Sequence, residues 1–157
     1  MYVTYIRSSS YNNYEFCQMQ YFMKYVLGLP SDSGKAAERG TMVHKVMEVL
    51  AGLKLFQQDN PSRKFIEVTD DVMGHVKVKK DKLMDKEFVE KLLDLSYTNY
   101  CKISNNKWIP SDRKEIARLT WLGLDHNDGQ FDPRRCDILQ PEPHFDIEIK
   151  EDWAKFN

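Results

Sequence analysis

One stretch of strict alternation constrains this chain more than any other feature. His144-Phe145-Asp146-Ile147-Glu148-Ile149-Lys150 puts apolar and polar residues on opposite sides with period two, the pattern of a half-buried β-strand. Nearly everything before it reads as helix. A lone strand would leave its backbone N–H and C=O groups unpaired, which a folded interior does not tolerate. It therefore needs residues 62–80, a second chain or a further segment of this protein as its partner. The expectation is an α+β fold, predominantly helical, with a β-strand near the C-terminus.

Four segments carry the helical period. Residues 8–28 place Tyr11, Tyr14, Cys17 or Gln18, Tyr21 or Phe22, and Tyr25 on one aromatic face, expected first to pack as core, with stacking on bases as the alternative. Gly28 suits the C-cap, and Pro30 cannot continue the helix. Residues 33–58 place Ala36, Gly40, Val43, Met47 and Leu50 together. Residues 82–102 align Met84, Phe88, Leu92 and Leu95, with Val89 and Leu93 beside them. After Pro110 a fourth helix is predicted from Ser111 to about Gly123, with Ile116, Leu119 and Leu122 on its apolar face. Between the second and third, Asn60-Pro61 is a breaker, and Phe65-Ile66-Glu67-Val68 suits either a short strand or another helical turn. Asp125-His126-Asn127-Asp128-Gly129 is turn chemistry; it lacks the sixth-position glycine and closing glutamate of a calcium loop.

Composition narrows the function classes. The chain has 157 residues, 41% hydrophobic and 30% charged, enough for a packed core in one domain. A net charge of -1 excludes the tail-driven, histone-like mode of nucleic-acid binding and leaves room for a local basic groove. Cys17, Cys101 and Cys136 form no CxxC pair, which argues against a zinc ribbon or a thioredoxin-type site. Their odd number and wide spacing suit a reducing, cytoplasmic setting. No run approaches the ~18 apolar residues of a membrane span, so no membrane partner is expected. Lys77-Val78-Lys79-Lys80-Asp81-Lys82 reads as a solvated basic run, with phosphate contact as the alternative, and Arg134-Arg135 beside Asp132 and Asp137 as a local ion-pair cluster, again with phosphate contact as the sharper alternative. His75, His126 and His144 have no metal-ligand spacing.

The chemistry-bearing candidates lie on the second helix. Gly40, His44 and Glu48 stand at i, i+4 and i+8, climbing one side of the helix with a drift of about 40° per step. Glycine admits a close approach, and imidazole and carboxylate one turn apart can both reach a divalent cation. The alternative is a solvated histidine and glutamate beside an incidental glycine.

Two further segments carry a resemblance. Ser8-Ser9-Ser10 leads into a helix with Cys17, Tyr21-Phe22 and Tyr25-Val26-Leu27-Gly28-Leu29, followed by a loop and then Gly40-Thr41, His44 and Glu48. This order, over residues 7–52, resembles the opening of RecB-like exonucleases of the PD-(D/E)XK nuclease superfamily. Glu142-Pro143-His144-Phe145 looks like the "E-x-x-F" entry into the core sheet of those enzymes. The resemblance implies a restriction-endonuclease-like fold and metal-dependent cleavage of DNA, with Mg²⁺ or Mn²⁺ as cofactor, His44 as a metal ligand and Glu48 in support. Glu148-Ile149-Lys150, with Asp137 upstream, is the literal candidate for the catalytic E-x-K strand. Cys17 matches the first cysteine of iron–sulfur members, but Cys101 and Cys136 lack the companion spacing, so no cluster is expected.

The implied division is residues 1–58 as motif-bearing helices, 59–130 as a helical insertion and 131–157 as the entry to the core sheet. It fits the N-terminal part of a nuclease, completed by a missing C-terminal segment or by a second chain. The competing expectation is a catalytically inactive helical module that binds DNA or another protein. Phage recombination or DNA repair is the setting the resemblance suggests.

Overall fold

The computed structural model describes residues 8–29, 34–141, 150–151 and 154–155. The chain divides into two compact units, residues 1–33 with 144–157, and residues 34–143.

In the first unit the predicted helix is broken. α1 (Ser8–Phe16) stops where Cys17 adopts an extended backbone, φ -159° and ψ 106°. α2 (Gln18–Tyr21) then restarts the helix and runs into a π-helical turn at Phe22–Val26. Gly28, at φ +64°, turns the chain so that the Leu29 N–H bonds the Met23 carbonyl at 3.0 Å, the predicted C-cap. The aromatic face does not become core. Tyr14 meets Tyr21 edge-on at 5.3 Å and Tyr21 meets Tyr25 at 5.3 Å, yet Tyr11 and Tyr14 stay about half exposed. The rings cover one another instead of entering a hydrophobic interior. β3 (Lys150–Glu151) and β4 (Ala154–Lys155) pair antiparallel. The alternating residues 144–149 lie outside the described residues.

The second unit is built on α3 (Lys35–Asp59). After it come β1 (Phe65–Asp70), β2 (Gly74–Lys79), a 3₁₀ turn at Lys80–Lys82, α4 (Lys86–Ile103) and α5 (Pro110–Gly129). The ambiguous segment thus resolves as a hairpin. β1 and β2 pair with each other, Ile66 opposite Val78 and Val68 opposite Val76 on the inner face. β1, α4 and α5 all pack on α3.

Packing on several sides moves the buried stripe of each helix by about one residue from the predicted one. In α3 Met42, Val46, Val49, Leu50 and Leu53 are buried, Val43 and Met47 are half-buried, and Ala36 and Gly40 face solvent. In α4 the stripe is Val89, Leu92, Leu93 and Ser96, with Met84 exposed. In α5 it is Asp112, Ile116, Thr120 and Leu124, with Leu122 exposed. Two hydroxyls sit on these stripes because each has a backbone acceptor: Thr120 donates to the Ile116 carbonyl at 2.9 Å and Ser96 to the Met42 carbonyl at 3.4 Å.

Helix ends follow local chemistry. Pro110 opens α5, and Asp112, two residues on, accepts the Ile109 N–H at 3.0 Å. The same carboxylate receives Lys35 at 2.5 Å and Arg39 at 2.9 Å from α3, joining the starts of two helices. Regular helix ends at Asp125, since Asn127 and Asp128 are left-handed at φ 50° and 58°, as the turn residues there predict. The following segment folds back on α3. Gln58 donates to the Ile138 carbonyl at 3.0 Å and accepts its N–H at 2.9 Å, using its amide as a strand would. Beside it Arg134 grips Asp132 at 2.8 Å with both side chains buried, and Arg135 lies 3.6 Å from the same carboxylate.

Candidate active site

α3 presents the predicted residues on its solvent side. Gly40 and His44 are exposed and Glu48 is half-buried. A methyl group built on Gly40 would meet nothing within 4 Å, so packing among the described residues does not demand glycine there. His44 and Glu48 stand one turn apart, as their spacing predicts. Glu148 lies outside the described residues. Lys150 opens β3, paired through its backbone with Lys155.

The structure adds three residues that were not singled out in the sequence. Lys45 Nζ lies 2.7 Å from Asp71 Oδ1, 3.0 Å from Glu48 Oε2 and 3.3 Å from Asp70 Oδ2. Asp70 is anchored in turn: its Oδ1 accepts the N–H groups of Val72 at 2.9 Å and Met73 at 2.7 Å. This bend at the hairpin tip carries both aspartates to α3. Asp71, followed by Glu48 and Asp70, strengthens the hold of Lys45 on its proton against the partial burial that opposes it. Lys45 in return pulls the Asp71 carboxyl below its ordinary value. The group is thus a fixed ammonium among three carboxylates, next to His44 in sequence. Part of it was legible: Lys45 and Glu48 are an i,i+3 pair, and Asp70-Asp71 precede the turn glycine Gly74.

Glu48 provides a test of whether these residues suit a divalent cation. Its Oε2 is buried and already faces the Lys45 ammonium at 3.0 Å. A hard cation takes carboxylate oxygen of this kind, and histidine nitrogen completes such sets. His44 and Glu48 are ligand types a divalent cation accepts, and a cation at Glu48 Oε2 would have to displace the Lys45 ammonium. No group of three or more His, Cys, Asp or Glu side chains able to hold a metal occurs among the described residues.

The cysteines are scattered. Cys17 is half-buried at the α1–α2 break, Cys101 half-buried in α4 with its thiol pushed up by burial, and Cys136 donates to the Gln130 carbonyl at 3.2 Å. No helix among the described residues is long and apolar enough to cross a membrane.

A family model of the PD-(D/E)XK nuclease superfamily matches residues 8–144. The match spans both motif segments, the hairpin and the helices packed on α3, and the chain belongs to that superfamily. Neither a curated protein nor a solved structure matches the chain.

Proposed function

We propose that this protein is a metal-dependent DNA nuclease of the RecB-like type, hydrolysing phosphodiester bonds in the manner of an exonuclease. Superfamily membership over residues 8–144 carries the reading. His44 is assigned as the metal ligand on α3 and Glu48 as its support, their one-turn spacing on α3 in favour of that role. Glu148 and Lys150 are assigned to the catalytic strand. Mg²⁺ or Mn²⁺ held by His44 would neutralise the scissile phosphate and lower the pKa of an attacking water. The part of Lys45 is to hold Glu48, Asp70 and Asp71 in one arrangement as a permanent positive charge.

The test is cleavage of linear DNA with Mn²⁺ or with chelator, by wild type and His44→Ala. Metal-dependent cleavage that falls by at least about a hundredfold in His44→Ala is expected, since removing one catalytic electrostatic contact costs on that order. Cleavage unaffected by the substitution refutes the role of His44. DNA binding without cleavage under any metal condition would instead identify an inactive binding module.

A further inference from the structure

The hairpin has a second feature of chemical interest, at the end away from Asp70 and Asp71. A groove of about 630 Å³ opens there, lined by Gln57, Arg63, Lys64, Phe65, Lys79, Lys80 and Asp81. Its lining residues include four cationic side chains and one carboxylate, in a chain whose net charge is -1. Pairing in the hairpin concentrates them: Phe65 stands opposite Lys79, and the Lys80 N–H bonds the Lys64 carbonyl at 3.0 Å. The next outward pair is neutralised, since Glu67 lies 3.3 Å from Lys77 and 3.6 Å from His75. Arg63, Lys64 and Lys79 have no carboxylate within salt-bridge distance among the described residues. Lys80 is steadied by its bond to the Pro61 carbonyl at 3.1 Å.

A solvated basic surface accounts for the lysines but not for Phe65. Phe65 is 46% exposed on the outward face of β1, with Lys77 Nζ 5.5 Å from its ring centroid. Unpaired cations around an exposed aromatic ring in a groove form the arrangement that holds a single nucleic-acid strand: phosphates meet the cations and a base stacks on the ring. Gln57 lies thirteen residues beyond His44 on α3, so the groove lies about 20 Å along the helix from His44.

We propose that this groove is a binding site for a single nucleic-acid strand, with Arg63, Lys64, Lys79 and Lys80 contacting phosphates and Phe65 stacking on a base. It rests on the nuclease reading and deepens it by placing a strand-holding contact about 20 Å along α3 from His44. Binding itself needs neither His44 nor a metal.

The experiment is fluorescence anisotropy of a labelled twenty-nucleotide oligo-dT with excess chelator, across a salt series, on the full chain. Lys64→Gln/Lys79→Gln is expected to lower the slope of log affinity against log salt by about 1.4, the sum for two lost phosphate contacts on a single strand. Phe65→Ala is expected to weaken binding about five- to a hundredfold. Lys64→Arg/Lys79→Arg should retain the wild-type slope, which separates charge from folding. Lys91→Gln, exposed on α4 outside the groove, should change nothing. The proposal is overturned if wild type does not bind, or if the double variant keeps the wild-type slope. It is also overturned if Phe65→Ala binds as wild type does, or if polyglutamate of equal charge displaces the oligonucleotide. Because cleavage is silent under chelator, a failed His44 assignment leaves this result untouched, and the reverse holds too.

Discussion

Two helix-interior glycines should respond in opposite directions to the same substitution. Gly52 sits where α3 meets β1, and a methyl group there would fall 2.9 Å from Val68 Cγ2. Gly123 sits in α5, and its methyl would fall 2.8 Å from Met47 Cε. Both substitutions gain about 1 kcal/mol of helix propensity on changing to alanine. What differs is the neighbour. Val68 is β-branched, stiff at χ1 and paired in the hairpin, so relieving the clash must shift the strand, at a cost of about 1–3 kcal/mol. Met47 is half-buried and touches only with the end of a flexible side chain, which can swing aside. Gly123→Ala should therefore stabilise by about 0.5–1 kcal/mol, from that propensity gain less a small repacking cost. Gly52→Ala should destabilise by about 1 kcal/mol. With a urea m-value of about 2 kcal/mol/M, the two midpoints should separate by about 0.75–1 M. Coincident unfolding curves by tryptophan fluorescence and circular dichroism would check two-state behaviour. The double variant Gly52→Ala/Val68→Ala isolates the contact, and in the Val68→Ala background the alanine at 52 should no longer cost stability. If Gly52→Ala stabilises as much as Gly123→Ala, or its penalty persists without the valine methyls, the reasoning fails.

Asp112 should contribute to the acid limb of stability. Lys35 above all, with the Ile109 N–H and Arg39, holds its carboxyl below the ordinary value of 3.8. Its contribution is thus fully present above that value and is lost as pH falls through the lowered folded one. The urea midpoint of Asp112→Asn should lie below wild type at pH 7, and the gap should close on acidification below pH 4; a constant gap from pH 7 to pH 2 would contradict this. Gln58→Ala should free the Ile138 backbone from α3. Amide exchange at Ile138 should quicken by about fivefold, matching one hydrogen bond of about 1 kcal/mol, while amides in the middle of α3 hold their rates.

The legible parts of the fold were those set by local chemistry. The Gly28 cap, the Pro110 start of α5 and the turn after Asp125 each follow from residues within a few positions of one another. Faces of the helices were less legible. Ser96 and Thr120 occupy buried positions that a hydrophobic pattern skips, since it cannot show that each hydroxyl has a backbone carbonyl to bond. The aromatic face of residues 11–25 reads as core by period, yet its rings lie against one another and remain partly exposed.

The candidate site divides the same way. By itself the sequence determined that His44 and Glu48 stand one turn apart on a helix, because a 3.6-residue period needs no knowledge of the rest of the chain. It also held enough ordered motif for the PD-(D/E)XK nuclease superfamily to be recognised over residues 8–144. Only the tertiary structure decided that Asp70, twenty-five residues beyond Lys45, comes within 3.3 Å of its ammonium, and that Arg63, Lys64 and Lys79 share one groove. The physical reason is that both groupings depend on where the hairpin lies on α3. That placement follows from the close approach of Val68 to Gly52 and from apolar packing of Ile66 and Val76, which no local period encodes.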